Sequence, residues 1–227
     1  MHKELILRFA IDQAVRLIGL GVVLFWSAGT MAWWPGWALV VVSGAWVVAT
    51  EVVIVRNDPG LLAERINPPR GAKQWDTVLM STHGLLQIGI YVVGGLHHRF
   101  GWACGLPVAA QLIGLVGCVL GYALAAWATY SNPFFSLIVR IQADRGHSVA
   151  TGGPYRLVRH PAYLGAILLG VSFGALLGSW WALLVGALDS ALMVLRTHLE
   201  DRDLRAELPG YTDYTRQVPF RLVPGIW

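Results

Sequence analysis

The sequence predicts an all-α, polytopic membrane bundle of six spans, or five if the last hairpin does not cross. Three observations carry this. Of 227 residues 56% are hydrophobic and 13% are charged, about half the charged share of a soluble domain. The apolar residues come in long runs. The charges avoid those runs and gather in the segments between them, which turns the net charge of +4 into a topology signal.

The first span reads as Ala14 to about Met31. It follows Asp12-Gln13 with no small-residue cleavage site, as in a retained helix. "WWPGW", Trp33 to Trp37, is a tight turn with interfacial tryptophans. The second span runs to Val55. A basic, proline-punctuated stretch follows from Arg56 to Asp76, with a short interfacial helix expected over Leu61–Ile66. The third span covers Thr77 to Leu96 and the fourth Leu106 to Tyr130. A second polar segment runs from Asn132 to Pro161, too long for a minimal turn. Two shorter apolar runs, Tyr163–Leu177 and Trp180–Leu195, are split by Gly178-Ser179 and read as a hairpin. The tail from His198 is polar; "THLEDRDLRAEL" reads as helix and Pro209-Gly210 ends it. The chain is one integral-membrane domain, 1–227. Residues 1–130 supply four spans, and 131–227 the chemistry-bearing part.

With the amino terminus in the cytoplasm, 16 of the 17 Lys and Arg fall on the inner side and only Arg99 outside. Both termini and both long polar segments then share the cytoplasmic face, and a multi-pass protein of a bacterial inner membrane is expected. The outer loops are too short to bind much, so chemistry belongs inside. Nucleic acid is not an expected partner, because topology accounts for the basic residues. Two cysteines, Cys104 and Cys118, make no disulfide framework, and the seven scattered histidines propose no metal. There is no phosphate-binding lysine loop, dinucleotide glycine fingerprint or HExxH. Oligomeric state is not legible.

"GGPYRLVRHPAYLG", Gly152 to Gly165, is the densest motif. Pro161 suits the first turn of the fifth helix, whose free amides point at whatever lies beside it. Arg159 and His160 flank that positive end and could hold a carboxylate; they could equally be an interface anchor and its neighbour. Glu200 and Asp201 could face an ammonium or a ribose diol, or simply begin a solvated helix. Asp189 lies inside an apolar run, where an unpaired charge costs about 2.5–3.5 kcal/mol. Arg196 lies seven residues on, so Asp189, Leu192, Arg196 and Glu200 form one stripe. His83 and Gln87 make a second polar pair, read as glue between helices. "SNPFFS", Ser131–Ser136, terminates the fourth span; its phenylalanines either line an apolar entrance or sit at the interface.

"GGPYRLVRHPAYLG", with the late Glu-Asp and "YTDYTRQVPFRLVPGIW", resembles the isoprenylcysteine carboxyl methyltransferase family, within a wider group that includes phospholipid N-methyltransferases. The resemblance is strong from about Asn132 to Trp227 and only architectural over the first two spans. It implies S-adenosylmethionine as methyl donor, bound at the inner ends of the last helices. It carries cofactor binding onto Arg159, His160, Pro161, Tyr163 and Gly165, and onto Glu200 and Asp201, the latter shorter than the second glutamate of several relatives. The tail pattern matches Tyr211, Tyr214, Arg216 and Pro219 through Arg221, which covers the cofactor in relatives. Tyr155, Tyr163 and Tyr211 are candidates to enclose the adenine and shield the sulfonium.

The acceptor class stays open among a carboxylate, a thiol and a lipid amine, each hydrophobic enough to partition into membrane lipid. A carboxylate needs a cation to place it; Arg196 is the candidate, held by Asp189. A thiol or amine needs deprotonation, with His160 or Asp189 as helper. A membrane reductase on a related scaffold and a small transporter, using Asp189, His83 and Gln87 as its polar line, are the alternatives.

Overall fold

The computed structural model describes residues 2–57, 73–102 and 104–227. The expected interfacial helix over Leu61–Ile66 lies outside the described residues. All regular structure among them is helical: α1 His2–Ala28, α2 Trp34–Asn57, α3 Gln74–Phe100, α4 Val108–Tyr130, α5 Pro161–Leu176, α6 Trp180–Glu207 and α7 Tyr211–Gln217, with single 3-10 turns at Ala143–Arg145 and Gly153–Arg156.

Among the described residues four helices are long and apolar enough to cross a membrane: α1 from Ile6, α3, α4 and α6. Two apolar stretches are shorter, Trp34–Ala49 of α2 and Pro161–Leu176. With 16 residues, α5 is about 24 Å long, against a hydrocarbon core of about 30 Å. The bundle's outer surface is apolar: Ile18, Val22, Val41, Ile113, Leu120, Leu184 and Leu188 are all exposed. A continuous exposed apolar surface of this kind suits lipid, not water. The protein is a multi-pass integral membrane protein.

Two helices overrun the expected spans. α1 starts twelve residues before Ala14, and α6 continues from the apolar run through "THLEDRDLRAE" to Glu207 without a break. Hydropathy marks where a chain leaves lipid, but a helix needs only continued backbone bonding and can run on into water. Along the overrun of α1, Arg16 pairs with Asp12 one turn back at 2.8 Å. The late hairpin forms where Gly178-Ser179 predicts it. Gly178 takes φ +73°, and the Ser179 hydroxyl accepts the Ala182 amide at 3.2 Å as the cap of α6.

α4 packs along α5, α5 along α6, α1 along α3, and α3 against α6. Leu24, Leu39, Ile90, Cys118, Phe173 and Leu176 meet in the middle. The α4–α5 seam depends on absent side chains: a Cβ on Gly165 would stand 2.7 Å from the Gly121 carbonyl oxygen. Close approach of two backbones replaces the missing hydrophobic drive between helices in lipid. At one end of the bundle the chain turns tightly, at Gly29, Gly101 and Gly178. At the other end meet the start of α3, the end of α4, the start of α5, the end of α6 and the tail. The polar segment from Asn132 to Pro161 lies there.

Candidate cofactor and acceptor cavity

A cavity of about 150 Å³ opens at that polar end. Tyr155, Arg159, His160, Tyr163, Arg196, Glu200, Tyr211 and Tyr214 line it, so the late motif, the acidic helix and the tail converge as expected. Phe134 and Phe135 supply an apolar wall. The Asn132 side chain fixes their turn by accepting the Phe134 amide at 2.9 Å.

The tail is fastened over the cavity by one carboxylate. Asp201 is fully buried. Its Oδ1 accepts from Arg159 Nε at 2.7 Å and from the Tyr211 hydroxyl at 3.0 Å. Its Oδ2 accepts from Arg221 Nε at 2.9 Å, with Arg205 Nε at 3.1 Å. Arg159 also donates through Nη1 to the carbonyls of Val218 and Pro219 at 2.8 and 2.7 Å. The backbone completes the seam, with the Arg159 and His160 amides donating to Phe220 and Arg221 at 3.0 and 2.9 Å. Tyr214 donates to the Tyr155 carbonyl at 2.6 Å. Burial pushes the phenols of Tyr155, Tyr211 and Tyr214 well above their ordinary value, so all three keep their protons.

Several residues expected as ligands are engaged within the protein. Arg159 and Asp201 are spent on each other and on the tail. Asp201 does not line the cavity. Pro161 opens α5 as predicted but is also outside the lining, and Gly165 sits in the seam with α4. The helix-start amides are largely used: those of Tyr163 and Leu164 donate to the His160 carbonyl at 3.1 and 3.2 Å. A motif read along the chain cannot separate residues that touch a ligand from residues that hold those that do.

Glu200 is different. Its Oε2 is buried without a hydrogen-bond partner, and His160 Nδ1 lies 3.9 Å away. The His160 ring stacks on Tyr163 with centroids 5.7 Å apart. Its Nε2 lies 3.2 Å from the Tyr211 hydroxyl and 3.4 Å from Asp201 Oδ1.

Arg196 lines the cavity, but Asp189 does not hold it. Asp76 does, with Oδ1 accepting from Arg196 Nε at 2.7 Å. Asp189 lies fully buried a level deeper, accepting from Gln87 Nε2 at 2.7 Å and paired with His83 Nδ1 at 2.7 Å. Tyr91 donates to Gln87 Oε1 at 2.9 Å. The polar line that a transporter would need is thus spent on itself. Seven residues of separation put Asp189 and Arg196 on one face but about 10 Å apart along the helix axis, beyond a direct pair. Asp76 went unread because an acid in the first turn of a span looks like an ordinary complement to the helix dipole.

Lys73 and Trp75 were also missed. Lys73 lines the cavity and pairs with Asp203 at 3.4 Å and with Glu207, while Trp75 Nε1 donates to Asp203 Oδ2 at 3.2 Å from outside the lining. Among the described residues, no group of three or more His, Cys, Asp or Glu is arranged to hold a metal ion.

Residues 112–206 match the model of the isoprenylcysteine carboxyl methyltransferase family. The matched segment is somewhat less than half of the chain. It holds α5, most of α4 and α6, and the cavity residues from Asn132 to Glu200. The solved structure of a eukaryotic intramembrane Ras methyltransferase of that family covers 94% of this chain and 75% of its own, at 19% identity and a TM-score of 0.57. The fold of that structure is therefore shared over nearly the whole chain. A cobalt-zinc-cadmium resistance protein of Cupriavidus metallidurans, CzcN, is 38% identical over 82 residues. The chain spans 37% of that relative's length.

Proposed function

We propose that the protein transfers the methyl group of S-adenosylmethionine to a membrane-partitioning acceptor, in the cavity beneath the tail and on the cytoplasmic face. The family of residues 112–206 supports the reaction class, the charge distribution supports the side, and the bacterial relative supports an inner membrane. The observation that carries the reading is Glu200 Oε2, a buried carboxylate oxygen of the cavity wall left without a hydrogen-bond partner. Such an oxygen is costly unless a ligand completes it, and the ammonium or ribose hydroxyls of the donor are suited to do so.

When bound, the donor supplies an electrophilic methyl on a sulfonium. An electron pair of the acceptor forms the new bond to that carbon, the carbon–sulfur bond breaks with its electrons passing to sulfur, and a neutral thioether leaves. The chain's part is to orient and to exclude water. Glu200 binds the donor, Tyr155, Tyr163 and Tyr211 enclose it, and the tail seals it. Arg159, Asp201 and Tyr214 hold the seal. Phe134 and Phe135 give the acceptor an apolar approach, and Arg196 offers a cation to a carboxylate acceptor. His160, fixed between Tyr211 and Tyr163, would take the proton from a thiol or amine acceptor.

Calorimetric titration of detergent-purified protein with S-adenosylhomocysteine, beside Glu200→Gln, tests this. Saturable binding weakened about tenfold or more in the variant is expected, the loss of a charge-assisted hydrogen bond. No binding to folded wild-type protein would sink the reading, and equal binding by the variant would sink the role of Glu200.

A further inference from the structure

Asp76 is fully buried at the first turn of α3, and both its oxygens are in use. Oδ1 takes Arg196 Nε at 2.7 Å, and Oδ2 takes the Val139 amide at 2.7 Å. Arg196 in turn donates through Nη2 to the Leu137 carbonyl at 2.9 Å and lies over the Tyr163 ring, 4.9 Å from its centroid. Leu137, Val139, Tyr163 and Arg196 all line the cavity; Asp76 does not. Among the described residues Nη1 of Arg196 donates no hydrogen bond. A guanidinium is a rigid planar fork. Holding Nε on one side and Nη2 on another fixes where the remaining N–H groups point. Asp76 also lies outside residues 112–206, so the family match does not speak to it.

We propose that Asp76 is a positioning residue for the acceptor half of the reaction: it clamps Arg196 between α3 and the 137–139 segment, so that the free guanidinium edge can hold an oxygen of the acceptor. This rests on the methyltransferase reading. Asp76 touches no ligand and acts through Arg196 alone, while donor binding one turn away at Glu200 is independent of it. Two consequences separate this from a brace for the fold. Loss of Asp76 must spare the donor site, and it must matter only while Arg196 is present.

Wild-type protein, Asp76→Asn, Asp76→Glu, Arg196→Met and the Asp76→Asn/Arg196→Met double variant are compared in detergent. S-adenosylhomocysteine affinity is read by calorimetry. Methyl transfer from S-adenosylmethionine to N-acetyl-S-farnesylcysteine, an isoprenylated cysteine with a free carboxyl group, is read with labelled donor. Asp76→Asn is expected to keep donor affinity within about twofold and to lose about 10- to 100-fold in kcat/KM for the acceptor. Asp76→Glu should recover part of that loss. The double variant should be no worse than Arg196→Met. Multiplied losses in the double variant, or donor affinity falling along with transfer in Asp76→Asn, would overturn the proposal. Failure of the wild type to bind the donor product counts against the methyltransferase reading instead, whereas donor binding without methylation of the carboxylate probe overturns the role of Arg196 and Asp76 in holding an acceptor oxygen; both show themselves before any variant is compared.

Discussion

The Arg159 guanidinium meets the Asp201 carboxylate at 2.7 and 3.3 Å, with both side chains almost wholly buried, and this pair joins the start of α5, the end of α6 and the tail. Breaking a buried pair strands its other half at a cost of about 3–5 kcal/mol. Asp201→Ala should therefore release the tail, seen as rapid proteolysis beyond Leu208 and loss of S-adenosylhomocysteine affinity. The three arginines on Asp201 should rank by burial. Arg159→Ala is the most damaging, Arg221→Ala intermediate, and Arg205→Ala, whose side chain is 43% exposed, within about 1 kcal/mol of wild type by thermal shift. Equal effects would contradict the hub.

Asp189 gives the opposite expectation. Its bonds to His83 and Gln87 join α3 and α6 away from the cavity. Asp189→Asn keeps the size and most of the bonding, and should cost about 1 kcal/mol or less, as interhelical hydrogen bonds in membranes do. Acceptor kinetics should not change. A fall in kcat at unaltered stability would restore a catalytic role to Asp189.

Gly165 separates packing from binding. An added Cβ would meet the Gly121 carbonyl at 2.7 Å and the Ala125 amide nitrogen at 3.2 Å, both backbone atoms that cannot swing aside. Gly165→Ala should destabilise by about 1–3 kcal/mol, measured by thermal unfolding in detergent. Donor affinity in the folded fraction should remain. Lost affinity in a variant of wild-type stability would place Gly165 against the ligand instead.

The Tyr211 phenol predicts a pH response. Burial raises it above its ordinary 10.0, so the folded protein keeps this proton where the unfolded chain releases it. The contribution is fully present below pH 10 and declines as pH rises above that value. Tyr211→Phe, which lacks the titrating group, should lose less stability between pH 9.5 and about 11 than wild type in parallel thermal scans. Identical slopes would show that the phenol is accessible.

Much of the fold was legible because membrane physics acts on local sequence. Hydrocarbon forces backbone bonding inside each segment, so apolar runs announce helices, and Gly178-Ser179 announces the hairpin. Continuity was less legible: α1 begins well before its span, and the last span and the expected "THLEDRDLRAEL" helix are one helix, α6, because nothing in hydropathy stops a helix at a membrane surface. The cavity wall was visible as a motif, since "GGPYRLVRHPAYLG" compresses the seam with the tail, the His160–Tyr163 stack and part of the cavity lining into one stretch.

By itself, then, the sequence determined an all-helical membrane chain and the residues that converge at one end of its bundle. Tertiary structure alone decided their roles. It paired Arg196 with Asp76, 120 positions away, instead of Asp189 on its own helix, and it turned Arg159 and Asp201 inward to hold the tail. It left Glu200 Oε2 as a buried acceptor without a partner. The physical reason is that charge pairing in a low-dielectric interior depends on distances of a few ångströms. Those distances are set by how helices far apart in the chain pack, a quantity that neither spacing nor composition encodes.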